Sequence, residues 1–120
     1  MTIGDVKEAL GARVLSGEDL LDKEVHSACG SDMMSDVLAF VKDQAVLLTG
    51  LCNPQVIRTA MMMDIVCVVF VRSKHPTLEM IELASDAGIV LLETGHRMFS
   101  SCGILYKAGL GSGEDYERLT

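Results

Sequence analysis

The amino-acid sequence predicts an α/β fold, a three-layer α/β/α sandwich with a mostly parallel sheet of about four or five strands. Three observations lead to this prediction. Strand-like apolar segments alternate with helix-like segments along most of the 120 residues. Two strand-like segments, residues 45–50 and 65–71, are largely apolar, which is typical of strands buried on both faces. The intervening residues 51–64 are enough for a helical crossover between parallel strands.

The beginning of the chain predicts a helix, a short strand and a turn. Thr2 and Asp5 have the spacing of a capping box, with Asp in place of the usual Glu or Gln, so we expect a helix over residues 2–10. Residues 12–16 follow as a short strand. The acidic segment 17–24 is expected to form a surface turn.

The middle of the chain predicts strands that are each followed by a helix. Residues 25–29 are strand-like, and Ser31 is placed to cap a helix over about 32–42. After the strand at 45–50, Asn53 at the N-cap and Pro54 at the first helical position indicate the start of the next helix.

The end of the chain repeats this alternation. The β-branched strand 65–71 is followed by the loop 72–76, and Thr77 caps a helix that ends before Gly88. The remaining expected elements are a strand over 88–93, a loop over 94–97 and a helix over 98–108.

Charge and composition exclude several classes of function. A net charge of −7 repels nucleic-acid backbones, and an aromatic share of 4% with no Trp offers no stacking platform. The longest apolar run is too short to span a bilayer, and the N-terminus lacks the features of a signal peptide. We therefore expect a cytoplasmic protein that binds neither nucleic acid nor membrane. Residues 1–110 are expected to form one domain, and residues 111–120 a flexible polar tail.

The hydrophobic share of 49% indicates more apolar surface than one small core needs, so we expect a homodimer. The 8 methionines include Met33, Met34 and the run Met61–Met63. Methionine fills irregular gaps in cores, which is the default interpretation here. A methionine-lined subunit interface is the alternative.

The common catalytic and metal-binding motifs are absent from the sequence. It contains no P-loop, GxGxxG, GxSxG or HExxH, and its four cysteines form no CxxC. Cys52 precedes a helix start, but no histidine is near it in sequence, and Asp32 and Asp36 fit capping or solvated roles. We therefore predict no cofactor, no metal and no enzymatic activity.

The candidate binding site lies in the loops that follow the predicted strands, because open α/β sheets bind ligands at the carboxyl ends of their strands. These loops concentrate positive charge in an otherwise acidic chain, which predicts a pocket for an anionic small molecule. The alternative is that the basic side chains are merely solvated, and that Asn53 only caps its helix. The candidate ligand-binding residues are Ser31, Asp32, Thr49, Gly50, Asn53, Arg72, Lys74, Thr94, His96 and Arg97.

Residues 45–108 carry a family resemblance. A buried strand ends in Thr49-Gly50, a helix begins near Pro54, a second buried strand leads to Pro76-Thr77, and Met80–Ala84 precede Gly88 and a last apolar strand. With the upstream block 30–38, this pattern resembles the DRTGG domain over about residues 2–110. Asn53-Pro54 stands where many members carry an Asp-Arg pair.

The resemblance implies a fold like the N-terminal domains of HPr kinase/phosphorylase and of MurF ligase. The same module is appended to some phosphotransacetylases and inserted between CBS domains in certain pyrophosphatases. It therefore implies a non-catalytic regulatory or ligand-sensing module, often at a dimer interface, for an anionic metabolite or a nucleotide. The alternative is a protein-interaction subunit of a larger metabolic or redox enzyme system, with no ligand of its own.

Overall fold

The computed structural model describes residues 1–40 and 44–113, and these form five strands, five α-helices and one short 3-10 turn. In chain order the elements are α1 (Ile3–Leu10), β1 (Arg13–Ser16), the 3-10 turn (Glu18–Leu20), β2 (Ser27–Gly30), α2 (Met34–Phe40), β3 (Ala45–Thr49), α3 (Pro54–Met62), β4 (Ile65–Phe70), α4 (Leu78–Ala87), β5 (Val90–Glu93) and α5 (Met98–Lys107).

The strands form one sheet in the order β1-β5-β4-β3-β2. Strands β2 to β5 are parallel, and β1 is an antiparallel edge strand beside β5. This confirms the predicted mostly parallel sheet. Because parallel strands share one direction, the carboxyl ends of β2, β3, β4 and β5 all lie at the same edge.

Helices cover both faces of the sheet, as predicted. Helices α1 and α5 pack on one face, and α2, α3 and α4 on the other. Every residue of the central strands β3 and β4 is buried. Buried helix residues are Ile3, Val6 and Leu105 on the first face, and Val37, Ile57 and Met80 on the second.

Local capping explains where the helices begin and end. The Thr2–Asp5 capping box is present at the start of α1. The Asn53 side chain accepts a hydrogen bond from the Gln55 amide at 2.9 Å, and the Thr77 hydroxyl accepts one from the Met80 amide at 3.2 Å. The capping interpretations of Thr2, Asn53 and Thr77 are confirmed.

Some predicted boundaries differ from the structure, and strand β5, for example, begins at Val90 and not at residue 88. Helix α2 begins at Met34, and the Ser31 hydroxyl accepts from the Met33 amide at 3.0 Å, so Ser31 forms a turn ahead of the helix instead of capping it. Strand β2 begins at Ser27 and not at residue 25. The predicted end of α2 falls partly on residues 41–43, outside the described residues.

The methionines divide between the core and the surface. Met34 is buried, whereas Met33, Met61 and Met62 are exposed. The segment after α5 contacts the sheet edge, because the Gly111 carbonyl accepts a hydrogen bond from the Ala28 amide at 2.9 Å. Residues 114–120 of the predicted tail lie outside the described residues.

None of the helices within residues 1–40 and 44–113 is both long enough and apolar enough to cross a membrane. In the same part of the chain, no three His, Cys, Asp or Glu side chains are grouped so that they could hold a metal ion.

The central position of β4 predicts a strong effect of a buried charge. Val69→Asp places a carboxylate at a site with 0% exposure and no polar partner in the surrounding apolar cluster, which costs several kcal/mol out of a typical total stability of about 5–15 kcal/mol. We expect the cooperative thermal transition to be lost in circular dichroism. Leu78→Asp, at a position 78% exposed in the first turn of α4, is the matched control and should melt close to the wild type. A cooperative, near-normal melt of Val69→Asp would contradict the described core.

Candidate functional site

The ten predicted site residues lie at or just beyond the carboxyl ends of β2, β3, β4 and β5, so the sheet brings them to one edge. Their side chains, however, differ in whether they are hydrogen-bonded within the chain or exposed. Ser31, Thr49, Asn53 and Thr94 are engaged in hydrogen bonds within the chain, whereas Arg72, Lys74, His96 and Arg97 are exposed.

Asp32 joins the ends of β2 and β3. Its Oδ1 accepts a hydrogen bond from the Gly50 amide at 2.6 Å and a second from the Thr49 hydroxyl at 3.2 Å. The Thr49 hydroxyl in turn accepts one from the Leu51 amide at 3.1 Å. Asp32 does not cap α2 as expected, because its carboxylate satisfies groups of the neighbouring strand end, although the residue is exposed. These bonds also occupy the Gly50 amide.

Gly50 provides the space in which Arg72 lies. A Cβ at Gly50 would come within 3.2 Å of both Cζ and Nε of Arg72, so the absence of a side chain allows the guanidinium to lie against the end of β3. A glycine after a buried strand can let a ligand or another backbone approach closely, and Gly50 is one of the predicted ligand-binding residues. The structure instead fills that room with a basic side chain.

The backbone of the loop after β4 is held in an unusual conformation. Arg72 and Ser73 have φ angles of 60° and 56°, in the left-handed region that non-glycine residues seldom adopt. The Arg72 amide donates to the His96 carbonyl at 2.8 Å, and the Ser73 amide donates to the Thr94 carbonyl at 2.9 Å. These two bonds hold the loops after β4 and β5 together and place Arg72 beside His96.

Thr94 anchors the second of these loops to the core. Its buried hydroxyl donates to the Leu10 carbonyl at 2.9 Å and accepts from the His96 amide at 3.3 Å. Thr94 thus connects the end of β5 to the end of α1. The hydroxyl thus uses its one O–H donor and one of its two acceptor sites within the chain.

Helix α5 begins at this edge. Arg97 is its N-cap residue, and among the described residues no side chain forms a capping hydrogen bond to the first turn. The amides of that turn carry the positive end of the helix dipole. Together with the exposed guanidinium groups of Arg72 and Arg97, they make this part of the edge electropositive, and exposed His96 lies beside them.

A second polar cluster lies around Glu93, and sequence reasoning did not find it. The two carboxylate oxygens of Glu93 contact Arg13 Nη2 at 2.6 Å and His75 Nδ1 at 2.7 Å. The antiparallel register of β1 and β5 places Arg13 opposite Glu93, and spacing along the chain carries no signal of that pairing. Both oxygens of the Glu93 carboxylate thus have partners within the chain.

Lys74 and Glu93 both lie near Cys52. Burial raises the pKa of the Cys52 thiol, an effect that the nearby Lys74 charge opposes and the Glu93 charge reinforces. The thiol is therefore protonated at neutral pH, which does not favour a nucleophilic role.

The bridging role of Asp32 predicts a loss of stability on truncation. Asp32→Ala leaves the Gly50 amide and the Thr49 hydroxyl without their acceptor, which should lower the free energy of unfolding by about 1–3 kcal/mol. Asp86→Ala, at an exposed position near the carboxyl end of α4, removes the same charge and should be nearly neutral. Urea denaturation of both variants and the wild type measures the difference. Equal stability of all three proteins would contradict a structural role for Asp32.

Comparisons with known proteins agree with this fold. The model of the DRTGG domain matches residues 5–108. Among solved structures, the chain is similar to the CBS and DRTGG domains of the regulatory region of Clostridium perfringens pyrophosphatase, solved in complex with its activator diadenosine tetraphosphate. The TM-score is 0.69 at 15% sequence identity, over 87% of this chain and 45% of that one, so this chain spans less than half of that structure. A search of the curated proteins finds no match. The family model covers nearly the whole described chain, and the chain belongs to the DRTGG domain family.

Proposed function

We propose that the chain is a non-catalytic regulatory module that binds an anionic small molecule at the carboxyl edge of its sheet. The observation that carries the proposal is the placement of Arg72, which lies over Gly50 on a left-handed turn bonded to the loop that leads into α5. A left-handed conformation at a non-glycine residue destabilises the folded state by roughly 1–3 kcal/mol, and such conformations are frequent at binding sites.

The groups around Arg72 suit a phosphate. Arg72 and Arg97 supply charged donors, His96 supplies a ring N–H, and the first turn of α5 supplies backbone amides. Of the ten residues predicted for the site, these three form the proposed anion contacts. Asp32, Thr49 and Gly50 shape the floor beneath Arg72 and are not proposed to touch the ligand.

A nucleotide is the first class of ligand to test. The regulatory region of the similar Clostridium perfringens pyrophosphatase was solved with diadenosine tetraphosphate, a ligand with a chain of phosphates. A polyphosphate of that kind would match the cations of Arg72 and Arg97 at the start of α5.

The alternative is a protein-interaction subunit with no ligand of its own. Its support is the apolar surface on the α2, α3 and α4 side, where Met62 and Leu78 are 73% and 78% exposed. The anionic-ligand proposal has the more specific geometry, because it accounts for the left-handed turn at Arg72 as well as for the charge.

Substitution of the edge arginines tests the site. Arg72→Ala and Arg97→Ala should each weaken binding of ATP or diadenosine tetraphosphate by about tenfold or more, because each removes a charge-assisted hydrogen bond. Arg58→Ala, at an exposed position on α3, removes the same charge away from the edge and should bind as the wild type does. Isothermal titration calorimetry at two salt concentrations measures the affinities, and higher salt should weaken wild-type binding. Equal affinities in all four proteins would exclude this site, and no binding by the wild type would favour the alternative function.

Gly50→Ala tests the placement of Arg72 separately from its charge. The added methyl group displaces the guanidinium, which is the mobile end of an exposed side chain, so stability should change by less than about 1 kcal/mol. Nucleotide affinity should nevertheless fall about as far as in Arg72→Ala. Calorimetry combined with a thermal melt checks both quantities, and Gly103→Ala, whose Cβ meets open space, is the matched control. Unchanged affinity in Gly50→Ala would show that the position of Arg72 over Gly50 is irrelevant to binding.

A further inference from the structure

Helix α5 exposes an aromatic ring in its first turn. Phe99 is the second residue of the helix, and its side chain is 91% exposed, the highest value among the large apolar side chains of the described residues. A single exposed apolar side chain is ordinary on a protein surface, so exposure alone indicates no function. The position of Phe99, close in the chain to exposed His96 and Arg97, is the informative feature.

The geometry of the helix directs Phe99 toward the carboxyl edge of the sheet. In an α-helix every Cα–Cβ bond tilts toward the N-terminus, and a long side chain covers the turn that precedes its own residue. The residues that precede the first turn of α5 are those of the loop 94–97. The Cβ of Phe99 therefore points toward the end of the helix at which the proposed anion site lies.

Phe99 and Arg72 lie on opposite sides of that site. Ser101 and Leu105 are the buried residues of α5, so they mark the side of the helix that faces the sheet. Phe99 is two residues before Ser101, which places it about 200° around the helix, on the outer side. Arg72 lies in the layer of the sheet, against Gly50 at the end of β3. A ligand at the first turn of α5 thus has a guanidinium on its inner side and an aromatic ring on its outer side.

We infer that Phe99 is the platform on which the base of a bound nucleotide stacks, while Arg72, Arg97 and the first amides of α5 hold its phosphates. The inference rests on the proposed function and specifies its ligand as a phosphate ester that carries a planar ring. Every nucleobase has a face that stacks on an aromatic side chain, so the platform selects for a ring and not for one particular base. Inorganic polyphosphate lacks that ring and gains nothing from Phe99.

Tyr106 is the matched control on the same helix. It is also exposed, at 64%, and seven residues separate it from Phe99, which is two turns or about 10.5 Å along the helix. It therefore faces the same side as Phe99 but lies away from the anion site.

Isothermal titration calorimetry with ATP, GTP and inorganic tripolyphosphate tests the inference. Phe99→Ala should weaken the binding of ATP and of GTP by about tenfold, because the base loses its stacking partner, and should leave tripolyphosphate binding unchanged. Phe99→Leu keeps an apolar side chain without an aromatic face and should behave as Phe99→Ala does, whereas Phe99→Tyr should retain the affinity of the wild type. Tyr106→Ala should bind all three ligands as the wild type does.

Proton spectra of bound ATP give a readout that a general loss of structure does not reproduce. Stacking on an aromatic face shields the adenine H2 and H8 protons, so both should move upfield with the wild type and with Phe99→Tyr, but not with Phe99→Leu. Circular dichroism melts should be unchanged in every variant, because the substituted side chains are exposed.

The outcomes separate this inference from the function on which it rests. If the wild type binds tripolyphosphate and ATP, but Phe99→Ala leaves ATP affinity unchanged or weakens both ligands equally, the stacking role is overturned and the anion site stands. If the wild type binds neither ligand, the anion site and the platform are both overturned. A loss of ATP affinity in Tyr106→Ala, with none in Phe99→Ala, would overturn the assignment to Phe99.

Discussion

The burial of β3 and β4 on both faces is the constraint on which the rest of the structure depends. Every residue of these two strands is covered by helices, so polar side chains are excluded from most of their length. Each crossover must then pass over a face of the sheet as a helix, which gives the three layers. Polar and charged side chains accumulate where the strands end. The carboxyl edge of the sheet is polar because the centre cannot be.

At that edge, one carboxylate and two hydroxyls form hydrogen bonds within the chain. The Asp32 carboxylate and the Thr49 and Thr94 hydroxyls satisfy amide, hydroxyl and carbonyl groups that end beyond the sheet ladder. What stays directed outward is mainly cationic. The edge therefore combines a rigid hydrogen-bonded floor with exposed arginines, and rigid support of this kind limits the entropy that a site loses on binding.

Local signals predicted most of the fold, and the parts they missed depend on contacts between distant residues. Thr2, Asn53-Pro54 and Thr77 mark helix starts, because each cap side chain accepts a hydrogen bond from an amide two or three residues further along the chain. Both partners of each bond can therefore be recognised from the local sequence. Asp32 reaches Gly50, and Arg13 reaches Glu93, across strand pairings that no spacing encodes. Hence the position of the edge and its basic residues were predictable from the sequence. Which of its residues form hydrogen bonds within the chain, and which stay exposed, was not.

A backbone amide chemical-shift titration of isotope-labelled protein with diadenosine tetraphosphate tests the binding edge most directly. Binding at the carboxyl edge predicts the largest changes at the amides of Arg72, Arg97 and the first turn of α5. The cleft at the opposite edge of the sheet, between Lys23, Met63 and Gly88, should stay unchanged and serves as an internal control. Changes centred on that cleft, or no changes at saturating ligand, would contradict a nucleotide site at the carboxyl edge.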